Sequence, residues 1–289
     1  MFMKIAMYSY FSDLVRQRGI EEAADVARSF GCDAVEFIDV YGKTSVIEDE
    51  KTALEFRRVL DEKGLKVACY SVAIHVVSPE SDGLDEADAE RYLMHCAKMA
   101  AAVGSPFLHH TLVLTYRYNE NSYVRDFEGV KKKLLPHTCA IADLCNSLGL
   151  TVLYEPQGVY VNGRENFTSF YCEMKRLGKN VGVCGDMGNS LFCDWRPEEF
   201  FEEFAGEIKH IHAKDYKLSN DGNARGYSSM SGKKIIPVAF GEGDVDVKRC
   251  ISAVRERGYD GAIALEGEYH DVDIEIPLDV AAVKRFWEK

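Results

Sequence analysis

Short runs rich in apolar and β-branched residues recur along the chain. Each is followed by a polar loop and then by a stretch whose apolar positions fall at helical spacing. The strand-like runs are residues 4–9, 34–38, 66–71, 106–112, 151–155, 181–186, 208–213 and 261–266. The helical stretches lie near 20–30, 50–63, 86–103, 126–148, 165–178, 197–206, 245–257 and 278–288. Several helices run into a glycine able to take the left-handed cap, among them Gly31, Gly104 and Gly258. Eight such alternations predict a single α/β domain over residues 1–289, a closed parallel (β/α)8 barrel. The alternative is an open doubly wound sheet. It wants a glycine-rich phosphate turn after the first strand, and Tyr8-Ser9-Tyr10-Phe11-Ser12 has none. Two polar segments, 78–85 with Gly83 and 219–233 with Gly222, read as excursions. The second is long enough for a mobile loop over an active site, and a solvated surface loop fits its composition equally well.

The 289 residues include 35 Lys and Arg against 47 Asp and Glu, a formal net charge of −12. A general nucleic-acid binder needs a cationic surface to displace counterions, so this balance argues against that class and favours a small neutral or polar substrate. No apolar run approaches the roughly 18–20 residues that span a bilayer. The first ten residues are apolar but lack the length and cleavage site of a signal peptide, and read as a first strand. The nine cysteines form no C-x-x-C pair, and most, such as Cys69 and Cys184, sit among apolar neighbours as core residues do. The expectation is a soluble cytoplasmic protein with neither nucleic acid nor membrane as partner. Homo-oligomerisation is left open.

In a barrel of this type, chemistry gathers at the C-terminal strand ends. The last four strand-like runs close on Glu155, Asp186, His212 and Glu266. Each is two residues beyond a position that alternation also sends inward: Leu153, Cys184, His210 and Ala264. Like charges buried together at a barrel mouth repel strongly, and a divalent cation removes that cost. Three carboxylates and one imidazole make an oxygen-rich donor set. It favours Mn2+ or Mg2+, with Co2+ and Zn2+ compatible. Any one of these residues alone fits a cap, a turn or a core hydrogen bond. Four ligand types closing four successive strands point to one metal ion.

The segments Tyr154-Glu155-Pro156, Gly185-Asp186-Met187-Gly188-Asn189, His210-Ile211-His212-Ala213-Lys214-Asp215, Gly241-Glu242-Gly243-Asp244-Val245-Asp246 and Tyr259 to Glu266 together resemble the xylose isomerase-like sugar isomerases and epimerases. That group includes ketose 3-epimerases, hydroxypyruvate isomerases and inosose dehydratases. The resemblance covers nearly the whole chain and is sharpest over 150–266. It implies a TIM barrel and assigns the metal to Glu155, Asp186, His212 and Glu266. It also implies a reaction. The metal chelates a carbonyl and its adjacent hydroxyl and stabilises the enediolate left when a carbon-bound proton departs. Glu155 and Glu266, on the fifth and eighth strands, then serve as catalytic acid and base on the two faces of that carbon.

Other residues are candidates for the substrate pocket. Glu36, toward the end of the second strand-like run, suits a substrate hydroxyl or a salt bridge. His110 points to the mouth if Leu108 is inward; a register shifted by one puts His109 there instead. Tyr8 and Phe11 suit an apolar wall or the core, and His75 a pocket or a loop. Lys214 is a fallback base and Asp215 a partner behind the metal ligands. Asn189 stands where many relatives carry a histidine. An amide hydrogen-bonds a sugar hydroxyl but is a poor metal ligand and no base near neutrality. A dehydratase-like lyase and a non-catalytic sugar-binding barrel are the alternatives. An apurinic endonuclease-like nuclease is a weaker one. It needs a histidine at Asn189 and an Asp-x-His where the chain has Arg225-Gly226-Tyr227.

Overall fold

Parallel strands hydrogen-bonded edge to edge leave no free edge only if the ring closes, and here it does. The computed structural model describes residues 3–41, 43, 45–76, 84–112, 127–158 and 160–288. The first seven barrel strands are β1 (Lys4–Met7), β2 (Ala34–Val40), β3 (Lys66–Ala73), β4 (Phe107–Thr111), β5 (Thr151–Tyr154), β6 (Val181–Asp186) and β7 (Ile208–Ala213). Three short strands follow: β8 (Asp215–Ser219), β9 (Tyr227–Ser228) and β10 (Lys234–Val238). The last barrel strand is β11 (Ala262–Leu265), and it pairs with β1 from Lys4↔Ala262 to Met7↔Leu265 to complete the eight-stranded parallel barrel. Around it lie α1 (Phe11–Arg18), α2 (Ile20–Ser29), α3 (Glu50–Glu62), α4 (Glu86–Val103), α5 (Phe127–Ser147), α6 (Arg164–Arg176), α7 (Pro197–Phe204), α8 (Val247–Glu256) and α9 (Val272–Glu288). Among the described residues no helix is long and apolar enough to cross a membrane.

Side-chain alternation sorts each strand into an inner and an outer row. The inner rows are small or slender. Ala6, Ala34, Ala68, Ala262 and Ala264 pack under Tyr8, and Cys69, Leu153 and Cys184 pack with Phe107. Outward residues such as Ile5, Val35, Phe37, Val183 and Ile211 join the large core shared with the helices. Beside β6 that layer is aromatic: Phe167–Phe200 and Trp195–Phe200 ring centroids are 5.7 and 5.1 Å apart. Gly185 permits it, because an added Cβ would sit 2.9 Å from Phe201 Cζ. This packing holds β6, and Asp186 at its end, from outside the barrel.

The structure departs from the sequence reading in three elements. Helix α1 was not expected; it is eight residues long, too short for a clear period, and Gly19 at φ 81° stops it. Helix α9 begins at Val272, not near 278, with Pro277 inside it. Segment 219–233 is no bare loop. It joins β8 to β10 through β9, and the three form an antiparallel sheet in the order β8-β10-β9. Segment 78–85 falls mostly outside the described residues.

The β4 register carries a consequence for stability. His109 faces inward, whereas His110 is fully buried on the helix side, its ring 6.2 Å from that of Tyr154. Among the described residues neither His110 nitrogen has a hydrogen-bond partner. Burial first, then His109 and His137, push its pKa from 6.5 down to about 3. The unfolded ring takes up a proton near its ordinary pKa and the folded one does not. Stability is therefore full above pH 6.5 and falls as pH drops toward 3, by on the order of a few kcal/mol. His110→Phe is expected to flatten this acid limb in urea titrations run at several pH values. An unchanged limb would show that His110 is not its source.

Candidate active site

The four strand-end residues meet at one end of the barrel. Glu155 directly follows β5, Asp186 and His212 lie in the last turns of β6 and β7, and Glu266 directly follows β11. His212 Nδ1 lies 3.0 Å from Glu266 Oε2, 3.5 Å from Glu155 Oε2 and 3.8 Å from Asp186 Oδ2. Glu155, Asp186 and His212 are buried, while the Glu266 side chain keeps 26% of its surface in contact with solvent. Lys214 reaches in beside them, with Nζ 2.9 Å from Asp186 Oδ2, 2.8 Å from Glu266 Oε1 and 3.2 Å from Asn189 Oδ1.

Hydrogen bonds fix which atom of each group faces the centre. Glu36, wholly buried on β2, accepts from His210 Nε2 at 2.6 Å, from His212 Nε2 at 3.1 Å and from Ser71 Oγ at 2.6 Å. With its proton on Nε2, a neutral His212 ring carries its lone pair on Nδ1. Asp186 Oδ1 accepts from the Gly188 and Asn189 amides at 2.7 and 2.6 Å, which turns Oδ2 inward. Asn189 Nδ2 donates to Glu155 Oε1 at 3.1 Å, which does the same for Oε2. Among the described residues, His212 Nδ1, Glu155 Oε2, Glu266 Oε2 and Asp186 Oδ2 make no hydrogen bond; what they have are the ion-pair approaches to His212 Nδ1 given above and, for Asp186 Oδ2, that of Lys214. Buried polar atoms are rarely left so, and four such acceptors aimed at one another call for a cation between them. Ligand atoms of Glu155, Asp186 and His212 all lie within 4.8 Å of one another. The residues fit a divalent ion.

The ionisation of these groups reflects the same crowding. Burial pushes the Asp186 carboxyl up to about 7, against Lys214 and with help from Glu155 and Glu266. Burial would raise Glu155 too, but His109 and His212 outweigh it and hold that carboxyl below its usual range. Burial would depress His212, yet Cys184, Glu36 and Glu266 push it well above 6.5. A proton on Nδ1 and a metal ion are two answers to one excess of negative charge.

The structure brings several of the remaining sequence candidates to the site and moves others away. Tyr8 stacks on His212, centroids 4.7 Å apart at 20°, and lines a small pocket with Tyr10, Ser12, Ile38 and Glu266. Phe11 is fully buried in the core against Phe37, with ring centroids 5.3 Å apart. Asn189 touches both Glu155 and Lys214. His109, not His110, enters the site, because β4 places His110 on the helix side. Glu36 does not meet the pocket: β2 runs on to Val40, so Glu36 is mid-strand and lies beneath His212 with both oxygens engaged. His75 follows β3 in irregular backbone and is half-buried. Ser71 carried no signal in the sequence, since its role depends on neighbours on β2 and β4.

Asp215 turns away from the ligands. Its carboxylate accepts from the amides of Tyr216, Gly241, Gly243 and Val245 at 2.8, 3.0, 2.8 and 3.3 Å and so shapes the loop before α8. Gly243 is required there, since a Cβ would fall 2.1 Å from Asp215 Oδ1.

Fold and site together define a (β/α)8 barrel with an acidic, imidazole-bearing centre at the C-terminal ends of β5, β6, β7 and β11. Residues 24–288 match the family model described as xylose isomerase-like TIM barrel, and the chain belongs to that family. No curated protein matches it in sequence. Among solved structures, a xylose isomerase-like TIM barrel protein from Mycobacterium smegmatis in complex with magnesium is 16% identical, with TM-score 0.73 over 99% of this chain and 98% of that one. The 3-keto-D-glucoside 4-epimerase of E. coli is 16% identical, with TM-score 0.71 over 98% of this chain and 100% of that one. The probable 3-DHS dehydratase of Bacillus anthracis is 15% identical, with TM-score 0.72 over 98% of this chain and 99% of that one. At these identities the likeness is one of fold.

Replacing Asp215 with Ala strands the four amides it serves. The expected loss is on the order of 2–4 kcal/mol of unfolding free energy, read from urea titration. A loss below about 0.5 kcal/mol, the usual range for surface changes, would mean that the loop holds its shape without the carboxylate.

Proposed function

We propose that the chain is a metal-dependent sugar isomerase or epimerase acting on a ketose or related polyol, with Glu155 and Glu266 as its acid and base. One observation supports it above the others: side chains from four strand ends bring His212 Nδ1 and three carboxylate oxygens together, none of them hydrogen-bonded among the described residues. Glu155, Asp186, His212 and Glu266 would hold one divalent ion. The oxygen-rich set suits Mn2+ first, with Mg2+, Co2+ and Zn2+ compatible. When bound, such an ion polarises a carbonyl and its neighbouring hydroxyl and acidifies the adjacent C–H bond.

The protein's own groups then divide the work. Glu266 is the solvent-facing carboxylate, at the wall of the pocket with Tyr8 and Ile38. Glu155 is the deep one, with Oε1 held by Asn189 and Oε2 left toward the centre. One can remove a proton from a substrate carbon while the other returns one from the opposite side. Tyr8 offers ring surface to sugar carbons and keeps its phenol proton, because burial, then Glu266, raise its pKa. Lys214, the fallback base, is less suited to that role: burial would lower its pKa, but Asp186 and Glu266 raise it well above the usual value and keep the ammonium charged.

The direct test is deuterium uptake from solvent into a panel of ketoses with added Mn2+. Exchange at a carbon beside the carbonyl is expected and would name both the substrate and the position attacked. Loss of water to give an unsaturated ketone instead would favour the lyase reading. Absence of both would leave the binding-barrel reading. Glu155→Gln and Glu266→Gln are each expected to lower turnover by at least about 10²–10⁴-fold with metal retained. Near wild-type turnover in both would refute the paired-glutamate scheme. Asp186→Ala is expected to lose the metal by elemental analysis while remaining folded by circular dichroism; full occupancy would refute the ligand assignment. Incision of abasic duplex DNA, surviving removal of contaminating nucleases, would overturn the sugar reading in favour of a nuclease.

A further inference from the structure

The N-terminal mouth of the barrel, opposite the acidic centre, carries charge of the other sign. The starts of β1, β3, β7 and β11 line a cavity of about 290 Å3 there, together with the turn from α8 to β11. Four cations border it, Lys4, Lys66, Lys209 and Arg257, against one carboxylate, Asp260. Over the whole chain acidic residues outnumber Lys and Arg 47 to 35, so this mouth reverses the protein's own balance.

The lysines rise from the inside of the barrel. Lys4 pairs in register with Ala262, and Lys66 with Ala34. Partners on neighbouring strands share a face of the sheet, and both alanines belong to the inner cluster with Ala6, Ala68 and Ala264. Lys4 and Lys66 therefore start from the inner row. Lys209 leans inward as well: an added Cβ on Gly182 would fall 2.9 Å from Lys209 Cγ and 2.8 Å from Leu153 Cδ2, which is part of the inner packing. Glycine at 182 and alanine at 34 and 262 leave the space that the lysine stems border. Among the described residues Lys4, Lys209 and Arg257 make no ion pair. Glu207, two residues before Lys209, is taken up by Tyr171 and Lys175 at 2.7 and 3.2 Å. Lys66 meets Asp61 at 2.6 Å, but both side chains are at least half exposed, and such a pair holds weakly enough to be exchanged.

We propose that this mouth is a second binding site, for a compact anion with two or more negative charges, a diphosphate being the type that fits. Like charges gathered around one cavity repel, and an anion that serves several of them at once relieves this better than separate monovalent ions do. Ammonium groups on long stems suit phosphate oxygens as point charges, and the Arg257 guanidinium can engage two of them. The volume lies at the low end of the roughly 300–1,000 Å3 found for small-molecule sites, which favours a compact ligand. Asp260 opposes the anion and limits how tightly it is held. The site stands whatever the C-terminal mouth catalyses.

The experiment is isothermal titration calorimetry of pyrophosphate into the full chain, at ionic strength held constant with chloride. The buffer contains no divalent cation, so that pyrophosphate cannot enter the opposite mouth as a metal chelate. One site per chain is expected, with a dissociation constant below about 1 mM. Lys4→Gln, Lys209→Gln and Arg257→Gln should each weaken binding about tenfold, the usual order for one charge-assisted contact. Lys133→Gln removes an exposed charge on α5, away from the cavity, and should leave binding unchanged. Asp260→Asn should tighten binding about three- to tenfold, a gain that loss of folding cannot imitate. Citrate, a broader trianion, should bind more weakly than pyrophosphate. Absence of pyrophosphate binding would overturn the site. Binding that the three cavity variants leave intact, or that Asp260→Asn fails to tighten, would overturn its placement in this mouth. Citrate binding as tightly as pyrophosphate would overturn the choice of a compact diphosphate.

Discussion

Negative charge crowded into a dry space is the constraint around which the barrel mouth is arranged. Glu36, Glu155, Asp186 and Glu266 lie within one or two side chains of each other, and Lys214 is the cation set among them. Water screens such repulsion at a surface; inside the barrel, screening is weak and each uncompensated charge costs several kcal/mol. The carboxylates are fixed to different strands, so no single loop can shift to relieve them. The chain answers with what it has. Lys214 bridges two carboxylates, His212 is biased toward its charged form, and amides at Gly188 and Asn189 bind the outer oxygen of Asp186. What these devices leave is a group of inward oxygens around His212 Nδ1, a donor set of the kind that suits a cation.

Glu36 is the foundation of this arrangement. It receives hydrogen bonds from β3 and β7 across the barrel interior, so a single carboxylate ties three strands together and sets the direction of the imidazole at the centre. Such carboxylate–histidine pairs orient metal ligands and raise their basicity. Below it the interior is filled by alanines and by Cys69, Leu153 and Cys184, which bring no carboxylate or amide there.

Much of this was legible in the sequence, for reasons that also mark where legibility ended. The eight strand–helix alternations foretold the barrel because each repeats a strong period. Glu155, Asp186, His212 and Glu266 were readable as one set because alternation and strand ends place them without knowledge of partners. Glu36 was misplaced because the strand-like run stops at Ile38, whereas the strand continues through Asp39 and Val40, and a strand longer by two residues buries a group expected near its rim. His109 and His110 are adjacent, and a single-residue slip exchanges inside for outside. Ser71 and Asp215 act only through contacts distant in sequence, to β2 and β4 in one case and to Gly241, Gly243 and Val245 in the other. The sheet β8-β10-β9 was missed because β10 carries Pro237, which reads as a break, and β9 has only two residues.

The central claim is that the unpartnered inward atoms hold one divalent ion. The most direct measurement is anomalous diffraction from crystals grown with Mn2+. A single strong peak is expected within coordination distance, about 2.0–2.3 Å, of His212 Nδ1 and of one oxygen each from Glu155, Asp186 and Glu266. A peak on another grouping, such as His109, Cys184 and His212, or no peak at saturating Mn2+, would contradict it.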